Sequence, residues 1–186
     1  MSESSTSESS TSESGMRGGR WRTAAALAAF AITASAFAAA PAQAAPPAPV
    51  GSFSYTGNAD DAVAPNSSGS LTSPTSSFTL NGTNRYLTFT ATGGGEHWEV
   101  RLEPEDGQDM VVGQTYVDSL DSDSAFVDVS GNGRGCYDSY AAIGAFTVTE
   151  LKTDRRTGAV TDFAATYEQS CVDGPMTLRG SVSYSS

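Results

Sequence analysis

From Phe53 to Tyr184 the large apolar residues recur at every second position, and no stretch repeats them at the three- and four-residue spacing of a helix. Trp98, Val100 and Leu102 alternate with His97, Glu99 and Arg101, and Phe146 and Val148 alternate with Thr147 and Thr149. The same rule holds for Phe53 and Tyr55, Phe78 and Leu80, Leu87, Phe89 and Ala91, Phe163, Ala165 and Tyr167, and Leu178, Val182 and Tyr184; Phe126–Val129 is a further candidate. Residues two apart share one face of a strand, so each such run buries one face and wets the other. Gly, Asn, Asp and Ser separate the runs. The pattern predicts an all-β fold, an antiparallel β-sandwich of about 8–9 short strands, with a closed barrel as the alternative. Asn81-Gly82 is expected to make a tight hairpin turn, and Gly93-Gly94-Gly95 to end a strand. Phe53, Phe78, Leu80, Leu87, Phe89, Trp98, Val100, Leu102, Phe146, Val148, Phe163 and Leu178 should fill one core.

The chain ahead of this region obeys other rules. Residues 1–15 repeat Ser, Thr and Glu with nothing to bury, a low-complexity prefix expected to be disordered; the simplest reading starts the precursor at Met16. Arg17, Arg20 and Arg22 then precede an uncharged, Ala-rich run from Thr23 to Ala40, Pro41 breaks it, and Ala42-Gln43-Ala44 supplies small residues around a cleavage point. Residues 16–44 therefore read as a signal peptide removed after Ala44. A retained membrane anchor is the competing reading, but a run this rich in alanine inserts weakly. No cysteine stands beside the site to take a lipid, and no paired arginines mark the twin-arginine route. Residues 45–50 read as a Pro-rich linker and 51–186 as the secreted domain.

Charge narrows the partners. The formal net charge is −11, and the three acidic and three basic residues before Ala44 cancel, so the excess belongs to the secreted part. Such a domain repels polyphosphate and anionic lipid, which makes nucleic acid and membrane surfaces poor partners. A monomer is expected, as is the absence of a cofactor. The lone histidine, His97, alternates with inward-facing Trp98 and should face solvent between Glu96 and Glu99. No Gly-x-Ser-x-Gly elbow accompanies it, so a nucleophilic hydrolase is disfavoured. Two cysteines and one histidine cannot complete a zinc site without carboxylates. Calcium suits the cluster Asp118, Asp121, Asp123 and Asp128 better, yet the run from Asp121 lacks the glycine and terminal acid of a calcium loop, and solvated loop acids are the expectation. Gly131-Asn132-Gly133-Arg134-Gly135 has no strand-to-helix setting for a phosphate cradle and reads as a turn.

Two binding readings remain. One is an extracellular module that recognises carbohydrate or protein on a sheet face or at loop ends, with Tyr137 and Tyr140 as candidate stacking rings. The other is a protease inhibitor presenting Lys152-Thr-Asp-Arg155-Arg156 at a hairpin tip, where an ordinary solvated turn is the plainer expectation.

The stretch Trp98–Tyr184 resembles an uncharacterised family of small exported bacterial β-sandwich domains. The resemblance rests on Gly131-x-Gly133-Arg134-Gly135-Cys136, on Gly144-x-Phe146-x-Val148-x-Glu150, on Phe163-Ala164-Ala165-x-Tyr167-x-Gln169-x-Cys171, and on Leu178-x-Gly180-x-Val182-x-Tyr184. That family often carries Gln-His-Cys before the second cysteine; Ser170 stands here in the place of the histidine, which counts against a catalytic or metal role for the position. The resemblance implies a β-sandwich and no reaction. Export supplies an oxidising compartment, and two cysteines permit one intramolecular pairing, Cys136 with Cys171. Pairing Phe146 with Phe163 across the turn near Asp154–Gly158 would place this disulfide at the far end of the same hairpin, as a clip across it.

Overall fold

The computed structural model describes residues 47–119, 121, 123–136, 142–171 and 175–186, all within the compact unit Ala44–Ser186. The prefix, the signal segment and the start of the linker lie outside the described residues. Ten strands and no helix are present among them: β1 Val50–Gly57, β2 Ser68–Thr72, β3 Ser77–Thr83, β4 Tyr86–Gly93, β5 Glu96–Glu103, β6 Thr115–Asp118, β7 Phe126–Gly131, β8 Ile143–Thr153, β9 Val160–Ser170 and β10 Leu178–Ser185. They form a six-stranded sheet, β2-β1-β10-β9-β8-β6, and a four-stranded sheet, β3-β4-β5-β7, antiparallel throughout. The sheets are not closed on each other, so the architecture is a sandwich and the barrel is excluded. The alternation read from the sequence is the alternation observed: of the expected core, eleven side chains are buried, from Phe53 to Leu178, while Leu80 is half-buried because β3 is an edge strand.

Three expectations are corrected. Asn81 and Gly82 lie within β3, opposite Thr88 and Leu87, and the chain turns at Asn84–Arg85. A turn at Asn81-Gly82 would set Leu80 against Thr83, whereas the observed register sets Phe78 against Ala91 and Leu80 against Phe89, apolar on apolar. Gly82 is still required, since its φ is +119° and a Cβ there would strike the Tyr86 carbonyl. A second two-residue turn, at Gly94 and Gly95 with φ of 59° and 85°, follows β4. Second, Phe146 faces Tyr167, and Phe163 faces Leu151. Thr149 is an extra residue on β8, a bulge that flips the parity so that Phe146 and Val148 before it and Leu151 after it all face the core.

The third correction is narrower. Cys136 and Cys171 are bonded, with Cα atoms 5.0 Å apart, and the bond lies at the expected far end of the β8–β9 hairpin, where Ser170 pairs with Ile143; but Cys136 precedes β8, so the bond is not a clip between those two strands. Cys136 lies on the segment leaving β7 in the four-stranded sheet, and Cys171 directly follows β9 in the six-stranded one. The disulfide joins the two sheets. Closing such a loop stabilises a fold by roughly 3–4 kcal/mol in the chain-entropy account.

Side chains make a second connection at the same place. β7 ends its sheet, and its N–H groups on the side away from β5 need partners. The Val129 N–H donates to Gln169 Oε1 on β9 (2.6 Å), and Gln169 Nε2 donates to the Val129 carbonyl (3.4 Å) and to Cys136 Sγ (3.1 Å). The Val127 N–H donates to Asp118 Oδ2 on β6 (2.9 Å), and the Gly131 N–H to the Arg134 carbonyl (2.8 Å). Both Gln169 and Asp118 are buried. An amide and a carboxylate thus stand where a fifth strand would.

Burial pushes the Asp118 carboxyl up to about 6; its bond from Val127 pulls the other way, and the charge of Asp128 adds to the rise. The folded chain therefore binds this proton more tightly than the unfolded chain, and stability from this group is complete below about pH 4 and lost as pH rises through 6. Asp118→Asn keeps an acceptor for Val127 and removes the titration. Its stability relative to the parent, followed by urea unfolding, should grow by about 2–3 kcal/mol between pH 4 and 6.5. A difference that stays flat over that range would contradict the buried-carboxylate assignment.

Candidate functional site

One end of the sandwich opens into a cleft of about 190 Å³, lined by Tyr55, Val63, Ala64, Ser67, Trp98, Asn132 and Arg134. Its floor is aromatic. Tyr55 on β1 and Trp98 on β5 meet across the sheets with ring centroids 4.2 Å apart, and Phe53 lies beneath, 5.1 Å from Trp98. Glycine makes room for both rings: a Cβ on Gly131 would run into the Trp98 indole, and one on Gly69 into the Tyr55 ring. Glu96 holds the indole edge, accepting from Trp98 Nε1 at 2.7 Å, with the Tyr55 hydroxyl 3.5 Å from its other oxygen.

The wall is set by buried Asp61. Its Oδ1 accepts from the Val63 and Ala64 N–H groups, at 3.0 and 2.5 Å, and its Oδ2 from the Thr177 hydroxyl at 2.8 Å. The rim comes from the turn after β7. Gly131 and Arg134 exchange both backbone hydrogen bonds, 2.8 and 2.9 Å, around Asn132 and Gly133, whose φ angles are +53° and +76°. Asn132 is fastened to β5, its N–H donating to the His97 carbonyl at 2.8 Å and its Oδ1 accepting from the His97 N–H at 2.9 Å. The amide oxygen is engaged by His97, and its two Nδ2 donors make no bond among the described residues. Arg134 is exposed, and among the described residues no carboxylate lies within 4.0 Å of its guanidinium, as is true of Arg155 and Arg156; Arg85, Arg101 and Arg179 each have one and Lys152 has two. On the outer side of the same turn a shallower groove of about 370 Å³ runs past His97, Glu99 and Ser130.

The structure distributes the residues singled out in the sequence as follows. His97 is exposed and its Nδ1 lies 3.1 Å from the Thr92 hydroxyl. The segment Gly131–Gly135 is a turn, as expected, and it carries the rim of the cleft. The four aspartates do not converge: Asp118 faces the core, Asp121 bonds within its own turn to Ser119, and Asp128 lies on the outer sheet face opposite Arg101, where burial raises its carboxyl and Arg101 lowers it. Among the described residues no group of three His, Cys, Asp or Glu could hold a metal ion. Tyr137 and Tyr140 lie outside the described residues. Lys152–Arg156 does sit at the β8–β9 tip, with Lys152 paired to Glu150 at 2.6 Å. The tip is wound: Asp154 Oδ1 accepts from the Arg156 and Thr157 N–H groups, and the Gly158 N–H donates to the Asp154 carbonyl. The Thr157 hydroxyl, which donates to Oδ1 at 2.8 Å, and then the Thr157 and Arg156 N–H groups hold the Asp154 carboxyl below the usual carboxylate range. An α-turn of this kind offers no extended backbone to a protease.

Comparison with protein-family models, with curated proteins and with solved structures found no match to the chain. The disulfide accords with an extracellular or otherwise oxidising compartment, and among the described residues no helix is long and apolar enough to cross a membrane.

The packing of the floor gives a direct check. From Ala45 onward Trp98 is the sole tryptophan. Buried as it is, it should emit to the blue of free tryptophan. Gly131→Ala should shift that emission to the red and lower stability by about 1–3 kcal/mol, since the added methyl displaces the indole. Unchanged emission and stability would refute the contact.

Proposed function

We propose that this chain is exported and that its β-sandwich is a non-catalytic extracellular binding module, with the end cleft as its ligand site. The observation that carries the reading is the chemistry of the rim. Arg134 and Asn132, on a turn fixed by its own backbone bonds and by β5, and Ser67 ahead of β2 present hydrogen-bond donors at the mouth of the cleft. Preplaced donors around a concave site suit recognition. Hydrolysis by a nucleophile would need a hydroxyl or thiol joined to a base that a third group orients. The His97 ring meets the Thr92 hydroxyl without a carboxylate bonded to it among the described residues, and both cysteines are in the disulfide. The wound tip at Arg155 and Arg156 gives the protease-inhibitor reading less support.

Retention on extracellular material tests the proposal. Exported protein, whose intact mass should begin at Ala45, is incubated with soluble and insoluble cell-surface polysaccharide and with surface protein. A saturable bound fraction is expected, reduced by Arg134→Gln, without release of new reducing ends. Catalytic release of reducing ends, or stoichiometric inhibition of a trypsin-like protease, would replace this reading with one of its competitors.

A further inference from the structure

We infer that the outer edge of β6 docks an extended, basic segment of a partner polypeptide, which joins the six-stranded sheet as a further strand. The inference stands apart from the end cleft, since β8, β9 and β10 lie between β6 and β1, the strand that carries Tyr55. Three observations converge on it. The first is an exposed apolar stretch. Val111, Val112 and Val117 are 58%, 52% and 56% exposed, three of the five large apolar side chains that the described residues leave in solvent. All three lie on β6 or on the turn that leads into it. That turn is fixed. The Gln114 N–H donates to the Val111 carbonyl (3.1 Å) around Gly113, whose φ is +87°. The Gly113 N–H donates to the Val148 carbonyl (2.8 Å), and the Val111 N–H to the Tyr116 hydroxyl (2.7 Å). Backbone bonds and strand parity thus keep the three valines out of the core, and apolar surface gathered in this way marks contact with another molecule.

The second observation is an open ladder. β6 pairs with β8 on one side and ends its sheet on the other. The Val148 N–H donates to the Gln114 carbonyl (3.1 Å), which sets the phase. Tyr116 and Asp118 therefore bond to β8, and the N–H and C=O of Thr115 and Val117 point outward. The Thr115 and Thr147 hydroxyls, 2.7 Å apart, show the close approach of a non-bonded pair and fit this phase. Among the described residues no hydrogen bond reaches those four outward groups. An extended backbone supplies the matching donors and acceptors. The other edges differ: β7 is sealed by Gln169 and Asp118, and the exposed side chains of β2 and β3 are serine, threonine and asparagine. β6 is short, which limits casual pairing, but from Val111 to Ser119 the chain has no Lys, Arg or Pro to guard it. The third observation is charge. From Val111 to Gly133 the chain carries four aspartates and no Lys or Arg. Asp121 is exposed just past β6, its carboxylate accepting from the Ser119 hydroxyl. A strand antiparallel to β6 brings its N-terminal flank to Asp121 and its C-terminal flank to Val111 and Val112. Basic residues suit the first flank, and β-branched apolar residues the centre and the second. A second copy offers the same aspartates and a net charge of −11, so it is the poorer occupant.

The exported chain, isotope-labelled for amide spectra, provides the test, with sedimentation giving the mass. The probes are the peptide Lys-Thr-Lys-Thr-Val-Thr-Val-Thr-Val and its reversed sequence. The first should bind saturably to a monomer and slow amide exchange at Thr115 and Val117 at least tenfold, while the amides of β2 and β3 keep their rates. The reversed peptide, whose lysines meet the valine turn, should bind more weakly. N-methylation of the three valines of the probe, which blocks the donors facing β6, should weaken binding at least tenfold. Val117→Lys should do the same, and its unliganded melting temperature should match the parent because the side chain it replaces is exposed. Asp121→Asn should lose most of the preference for this peptide over one with glutamate in place of lysine. Binding that survives N-methylation, protection on β2 or β3 instead of β6, or no binding of either peptide would overturn the inference. A peptide-free dimer that Val117→Lys dissolves would overturn it as well, and would assign the edge to a second copy.

Discussion

The free edge of β7 is the constraint on which this structure turns. A six-stranded sheet faces a four-stranded one, and the narrower sheet ends at β7 inside the shelter of the wider. Each backbone group left unpaired there would cost about 1–3 kcal/mol. No fifth strand is available. Gln169 answers Val129 with both ends of its amide, and Asp118 answers Val127, so that the wide sheet satisfies the narrow one through side chains. The disulfide enters beside them and touches the same glutamine. Once β7 is fixed, its exit is fixed too. Gly131 closes the turn that carries Asn132 and Arg134, and lets Trp98 lie flat against its backbone. The rim of the cleft is therefore positioned from the core outward.

Much of this was legible in the alternation. Eight of the strands and most of the core follow from period-two runs whose large residues could only be buried together; Val63, Leu71, Met110 and Tyr116 join it from outside those runs. The two strands missed, β2 and β6, are the shortest, and Ser68–Thr72 and Thr115–Asp118 show one or two large apolar residues each, too few to establish a period. Register was harder. Asn81-Gly82 carries strong turn chemistry, but matching Phe78 with Ala91 and Leu80 with Phe89 overrode it. Along β8 and β9 the large apolar residues admit more than one register: Phe146 lies opposite Tyr167 rather than Phe163, four residues from the expected match. The pairing of the cysteines survived because two cysteines admit one bond; which elements they join depended on sheet membership, which a sequence does not display.

The site was less visible, for a physical reason. Its parts are far apart in sequence and none is unusual alone: an arginine in a glycine-rich turn, a tryptophan in a strand, an asparagine. One signal was present. Gln169 continues the inward parity of Phe163, Ala165 and Tyr167, and Asp118 that of Tyr116, so each is a polar residue on a buried face. A buried polar group must have a partner, and asking for that partner would have led to β7 and its turn. Tyr137 and Tyr140, the candidate stacking rings, lie outside the described residues.

Amide hydrogen exchange at Val127 and Val129 tests the central claim most directly. Outward-facing amides of an ordinary edge strand exchange quickly, whereas amides sealed by buried side chains open only when the sheets part. The account predicts that both exchange with a free energy close to that of global unfolding, and that Gln169→Ala strips protection from Val129 while Val127 keeps most of its own. Fast exchange at Val129 in the parent chain, or a Gln169→Ala variant with Val129 as protected as before, would contradict it.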